Sequence, residues 1–267
     1  MRGSSKTRAL WLILFLEAAL FLTLVSSQCL ESFTKIPAPA FPIVRGLDRG
    51  AGSFAILSRF LFQNQDSLKV WEEKIFKGKT NFVVHQESEK GFLSAASRDA
   101  CSGLYTKVDY EATPDLYLSW KWKAIRFPQK KEPGRLSNKS EDDFAARVYA
   151  IFPGSNFFKS NVIEYIWDEN IRAGTVTTSP YSERVRLFVI QNGVAVPEND
   201  GWREEERNLY EDYRKLFGKE PERPVGVVAL MSDSDNTGTQ SEADFADFTF
   251  KKKSTVANRR SANEGKS

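Results

Sequence analysis

One histidine, His85, and two cysteines, Cys29 and Cys101, are all that the 267 residues offer of the side chains most used for metal and nucleophile chemistry. A histidine-rich metal site within this chain is thereby excluded. Any nucleophilic triad would have to be built on His85, and no serine or cysteine of the chain has the setting of an activated nucleophile. Neither standard glycine-rich phosphate loop occurs, and there is no internal repeat. A strongly basic folded part is lacking as well. The chain is +3 overall, but residues 1–27 carry +2 and residues 251–267 carry +5, which leaves −4 for residues 28–250. That sign argues against a nucleic-acid partner, whose phosphates require a basic face.

What the chain does have is 41% hydrophobic and 13% aromatic residues, enough for one sizeable core. Its amino terminus reads as an address. The basic stretch MRGSSKTR precedes an apolar run from Ala9 to Val25, and Val25, Ser26 and Ser27 offer the small residues of a cleavage site. Residues 1–27 are therefore expected to be a signal peptide and the protein to be exported, periplasmic or extracellular. The alternative is an uncleaved inner-membrane anchor at residues 9–25, which would be the only membrane contact; a run of this length, interrupted by Glu17, lies at the lower limit for spanning. Gln28 before Cys29 argues against lipid attachment. An oxidising compartment permits Cys29 and Cys101 to pair, and spacing alone does not show that they meet. Residues 28–52, which include IPAPAFP, read as a linker, 53–250 as the folded domain and 251–267 as a basic disordered tail.

Within the domain, short strands alternate with turn signals. Leu116 to Ala124 is the cleanest, with Leu116, Leu118, Trp120, Trp122 and Ala124 on one face and Tyr117, Ser119, Lys121 and Lys123 on the other. Phe144 to Phe152 is apolar on both faces except for Arg147, which places it in the middle of a sheet and demands a partner for the charge, expected from a neighbouring strand. Val225 to Met231 and Phe245 to Phe250 frame an acidic loop. One helix is predicted over 202–217, where Trp202, Leu209, Tyr213 and Leu216 form an apolar stripe, Asp200 caps the first turn and Gly218 stops the last. The fold class expected is an all-β sandwich of jelly-roll, carbohydrate-binding-module-like type with that one crossing helix.

Three constellations bear on chemistry. Counting Asp233 as position one of a calcium loop puts Asp235 at three, Thr237 at five, Gly238 at the turn and Asp244 at twelve, with Asn236 between. Strands rather than helices flank it, and Asp, Asn and Thr are also ordinary turn formers, so a Ca²⁺ site and a capped polar turn both stand. No other cofactor is expected. Asp142, Asp143, Glu204, Glu205, Asp233 and Asp235 could supply the paired carboxylates of a glycoside-cleaving enzyme, which needs two acids at a set separation. Trp120 and Trp122 share a strand face as sugar-stacking platforms do, although their companions there read as core.

In order along the chain, LSWKWK, DDFAARVYAIF, IEYIWD followed by SPY, WREEERNLYEDYRKLFG, and ALMSDSDNTG before ADFADFTF resemble the bacterial secreted family catalogued as domain of unknown function 3047, and KTNFVV, FLSAAS and CSGLY resemble its first half. The resemblance spans roughly Leu68 to Phe250. It implies an exported bacterial β-sandwich and no catalytic role for any residue. The site candidates at matching positions are Asp142, Asp143, Arg147, Trp202, Arg207 and Asp212, together with the acidic loop. The expected function is a non-catalytic binding module for a glycan or cell-envelope polymer. A polysaccharide-cleaving enzyme and a structural or protein-interaction domain are the alternatives.

Overall fold

The structure is a computed structural model of the chain and describes residues 54–254 other than 88–89, 137, 155–158 and 195–197. The expected signal peptide, the linker, Cys29 and residues 255–267 lie outside the described residues. Strands are numbered along the chain. Six form sheet A: β1 (Phe54–Phe60), β3 (Asn81–Glu87), β4 (Lys90–Arg98), β6 (Leu116–Arg126), β11 (Arg203–Asn208) and β13 (Gln240–Lys253). Their order is β11-β6-β13-β4-β3, with β1 also paired to β13. Sheet B holds β2 (Glu72–Lys77), β5 (Cys101–Tyr110), β7 (Ala146–Phe152), β8 (Asn161–Asp168), β9 (Val176–Thr178), β10 (Val185–Asn192) and β12 (Val225–Met231). Here the order is β2-β5-β12-β7-β8-β10-β9, antiparallel throughout except for β8 and β10.

The fold is the all-β sandwich that the strand pattern predicts, and the alternation explains why. On β6 every second side chain from Leu116 to Ala124 faces sheet B and is buried, both tryptophans completely. Trp120 and Trp122 are thus core. Trp120 meets Tyr165 of β8 at 5.3 Å between ring centroids and Trp122 meets Trp167 at 5.7 Å, so aromatic contacts join the sheets. The expected central strand is also found: β7 is buried at every position and lies fourth of seven in sheet B.

Phe245, Phe248 and Phe250 all reach the same core, although their spacing of three and then two breaks strict alternation. A strand can only do this by inserting one extra residue, since a one-residue slip turns each side chain to the other face. The register shift between Ala246 and Thr249 is that insertion, and Asp247 takes a left-handed φ of 57° within it.

Two boundaries differ from expectation. The one α-helix among the described residues, α1, spans Leu209–Phe217, and its predicted first half is instead the edge strand β11. Glutamate and arginine favour helices in isolation, but REEERN also alternates: Glu204 and Glu206 are exposed while Glu205 is buried. Pairing with β6 and hydrogen bonds to Glu205 from Trp122 Nε1 (3.2 Å) and Gln191 Nε2 (2.8 Å) override local propensity. The cap is accordingly Asn208, whose side chain accepts from the Glu211 amide, and not Asp200; Gly218 ends the helix at φ 69° as expected. The domain also continues past residue 250, because Lys251, Lys252 and Lys253 extend β13 alongside β1.

Candidate functional site

The acidic loop leaves sheet B at the end of β12 and enters sheet A at β13. Its first carboxylate belongs to Arg147: Nε donates to Asp233 Oδ1 at 2.9 Å and Nη2 to Oδ2 at 2.6 Å, while Nη1 donates to Glu164 on β8 at 2.6 Å. Nη2 also donates to the Asp142 carbonyl, and the Phe144 ring covers the guanidinium at 4.5 Å. The charge near the start of β7 thus finds one partner, Glu164, on the neighbouring strand β8, as expected, and the other, Asp233, in the loop that follows β12. Asp143, fully buried, accepts from the amide and side chain of Asn236 and, at 2.7 Å each, from the amide and hydroxyl of Thr237. Gly238, at φ 66°, completes the turn.

Asp142 is the unsatisfied member. It is 6% exposed, its Oδ1 has no hydrogen-bond partner, and Oδ2 stays 3.8 Å from Arg147. Burial raises its pKa to about 7 against the pull of Arg147, and nearby Glu164 adds to the rise.

As a cation loop the arrangement is incomplete. The structure brings Asp233, Asp235 and Thr237 into one turn, but Asp244 lies on β13, where the Ser94 hydroxyl donates to it at 2.5 Å. The twelve-residue spacing fails there because the chain has already become a strand at Gln240. Cys101 Sγ and oxygens of Asp233 and Asp235 come within 4.8 Å of one another, yet an ion held there would compete with Arg147 for both Asp233 oxygens. Arg207 and Asp212 are likewise joined, at 2.8 and 2.5 Å, with the Tyr165 hydroxyl donating to the same carboxylate. This pair ties β11 to α1. Acids held against arginines in this way hold loops and strands together, and of the expected carboxylates Glu204 is the one that lines the cavity on sheet A.

An open site lies elsewhere, on the outer face of sheet A. A cavity of about 380 Å³ there is lined by Arg59, Lys121, Glu204, Asp247 and Lys251, with Ile56 and Leu61 as apolar floor. These residues come from β1, β6, β11, β13 and the segment after β1. Asp247 reaches the cavity because the bulge forced by the phenylalanine spacing turns it outward, and Lys121 holds it at 2.8 Å. Lys251 is bound to Glu206 at 2.6 Å. Gly91 lines the same space; a Cβ there would lie 1.8 Å from the Phe62 carbonyl oxygen, so only glycine allows that close approach.

Next to the cavity stands an aromatic surface. His85 and Phe92 stack at 5.0 Å across β3 and β4, and Trp202, at the head of β11, meets Phe92 edge-on at 5.7 Å. Of the expected candidates, then, Trp202 and Glu204 lie at an open surface. Phe92, Lys121, Asp247 and Arg59 were not singled out from the sequence; the polar face of the Leu116–Ala124 alternation was the available signal for Lys121.

The family model described as Protein of unknown function (DUF3047) matches residues 69–249. No curated protein sequence matches the chain. Among solved structures, the family 11 carbohydrate-binding module of the cellulosomal cellulase Lic26A-Cel5E of Clostridium thermocellum is similar at 9% identity and TM-score 0.39, over 79% of this chain and 99% of that one. The xylan-binding CBM22-1 domain of Paenibacillus barcinonensis Xyn10C is similar at 10% identity and TM-score 0.35, over 79% and 100%. The xyloglucanase domain of NopAA, a type three effector from Sinorhizobium fredii, is similar at 9% identity and TM-score 0.40, over 69% and 93%. Likeness at such identities concerns the fold, and no ligand is carried over from it.

Proposed function

We propose, from the premise that the chain belongs to the DUF3047 family of proteins of unknown function, that it is an exported, non-catalytic binding module for a glycan or cell-envelope polymer. The observation that carries this reading is the juxtaposition of the Trp202–Phe92–His85 surface with the polar cavity on one sheet face. A sugar presents apolar C–H faces, which aromatic rings cover, and a rim of hydroxyls, which carboxylates, lysines and arginine hydrogen-bond. Export is supported by the basic, apolar and small-residue order of residues 1–27.

Trp202 is also the reporter. It is the one tryptophan among the described residues that is not buried, so ligand contact should change its fluorescence while the core tryptophans stay silent. A glycan panel read by this signal is expected to identify a binder, and Trp202→Ala to weaken it roughly tenfold or more, as removal of a half-buried ring implies. Binding that is indifferent to this substitution would refute the site. A polysaccharide-cleaving enzyme is the second reading, because Glu204 and Asp247 both line the cavity. Appearance of new reducing ends on incubation with the bound polymer would favour it.

A further inference from the structure

The outer face of sheet A is uneven in charge, and the unevenness points to one class of polymer. On the β11 side lie the acids Glu204 and Glu206 together with the aromatic surface. On the β1–β13 side the outward positions are basic: Arg59 opposite Thr249, then Lys251, then Lys253 opposite Phe54. Lys121 and Lys251 are occupied by Asp247 and Glu206. Arg59 is exposed, lines the cavity, and has no ion pair or side-chain hydrogen bond among the described residues. Its planar fork is therefore free for a planar anion.

Resting on the reading above, we infer that the bound polymer is a uronate-bearing glycan, with a ring carboxylate held by Arg59 and another ring of the same chain lying on Trp202. The distances agree. The Trp202 ring reaches Phe92 on β4, and β4 and β1 pair with successive parts of the same edge of β13, Leu93 opposite Phe245 and Arg59 opposite Thr249, which puts the stacking surface and Arg59 roughly 10 Å apart along that edge, more than one sugar ring and short enough for an oligomer. The ligand class is set by the pairing of a free guanidinium with a ring-stacking surface. A neutral glycan leaves the charge of Arg59 unmatched, and a polyanion without rings leaves Trp202 unused.

The experiment titrates the purified protein with polygalacturonate and alginate, and with the carboxyl-reduced form of each, following Trp202 fluorescence and heat of binding. At least one polyuronate is expected to bind, its carboxyl-reduced form to bind about tenfold or more weakly, and Arg59→Gln to remove that difference with an unchanged melting temperature, since Arg59 is exposed. Trp202→Ala should weaken both forms. Equal, Trp202-dependent binding of native and reduced polymer, or an Arg59→Gln variant with its carboxylate preference intact, overturns this inference and leaves the glycan reading standing. Equally tight binding of dextran sulfate and polyphosphate, insensitive to Trp202→Ala, overturns it in favour of unspecific charge attraction. Binding of neither polyuronate overturns it as well, and only silence of Trp202 across a full neutral and acidic glycan panel overturns both.

Discussion

Arg147 is a cation shielded from water on every side, and its stability depends on carboxylates that the sequence places far from it along the chain. Removing one of them leaves the guanidinium buried and half-matched, so Asp233→Ala is expected to destabilise the protein by about 3–5 kcal/mol in urea denaturation. With Arg147 as the neutralising group, a chelator should leave the melting temperature of the wild type unchanged; a drop on chelation would instead put a cation in the loop. Asp142 makes the opposite contribution. In the folded chain it keeps its proton to about pH 7, because burial opposes ionisation more than Arg147 favours it, whereas the unfolded chain releases it near pH 4. Between those values the native state binds the extra proton, so this group's contribution to stability is complete at low pH and is lost as pH rises toward 7 and above. Asp142→Asn, which cannot ionise, should therefore match the wild type near pH 3 and exceed it at pH 8 by on the order of 4 kcal/mol, measured by urea midpoints. A variant that is weaker at pH 8 would show that the Asp142 charge is compensated.

At the scale of elements, the segment from Arg203 to Phe217 shows how one stretch with helical composition divides in two. Asn208 is the hinge. Its backbone is extended and still within β11, and its side chain caps α1, so the same residue ends the strand and starts the helix. Asn208→Ala should cost about 1 kcal/mol in urea, and Asn208→Asp should recover most of it, because either carbonyl or carboxylate can accept from the Glu211 amide. An alanine variant as stable as the wild type would mean that β11 pairing and the Arg207–Asp212 contact position the helix without the cap. The division was not legible in the sequence. Trp202 and Leu209 stand seven residues apart, as two turns of helix would place them, and nothing local reveals that an edge of sheet A waits for the intervening residues.

At the scale of the whole molecule, the two sheets share one core through Trp120, Trp122, Tyr165 and Trp167. Loss of strand signal in far-UV circular dichroism and loss of buried-tryptophan fluorescence should then fall on one transition with one midpoint; separate midpoints would mean that the sheets melt independently. The strands themselves, and hence the sandwich, were determined by the sequence alone, since alternation of apolar and polar side chains is a local pattern that water and backbone geometry read the same way anywhere. The need of Arg147 for a carboxylate was equally plain, as was the turn chemistry of Asn236, Thr237 and Gly238. Even the bulge at Asp247 is implicit in Phe245, Phe248 and Phe250, whose spacing cannot face one core without it. What only the tertiary structure decided is which acids are consumed and which face is open. Asp233 is taken by an arginine 86 positions away, Asp244 by a serine on another strand, and the cavity gathers residues 59, 121, 204 and 247 from four strands of one sheet. Strand order is set by contacts between distant segments, whose free energy appears only when the whole core closes, and so no local pattern announces it.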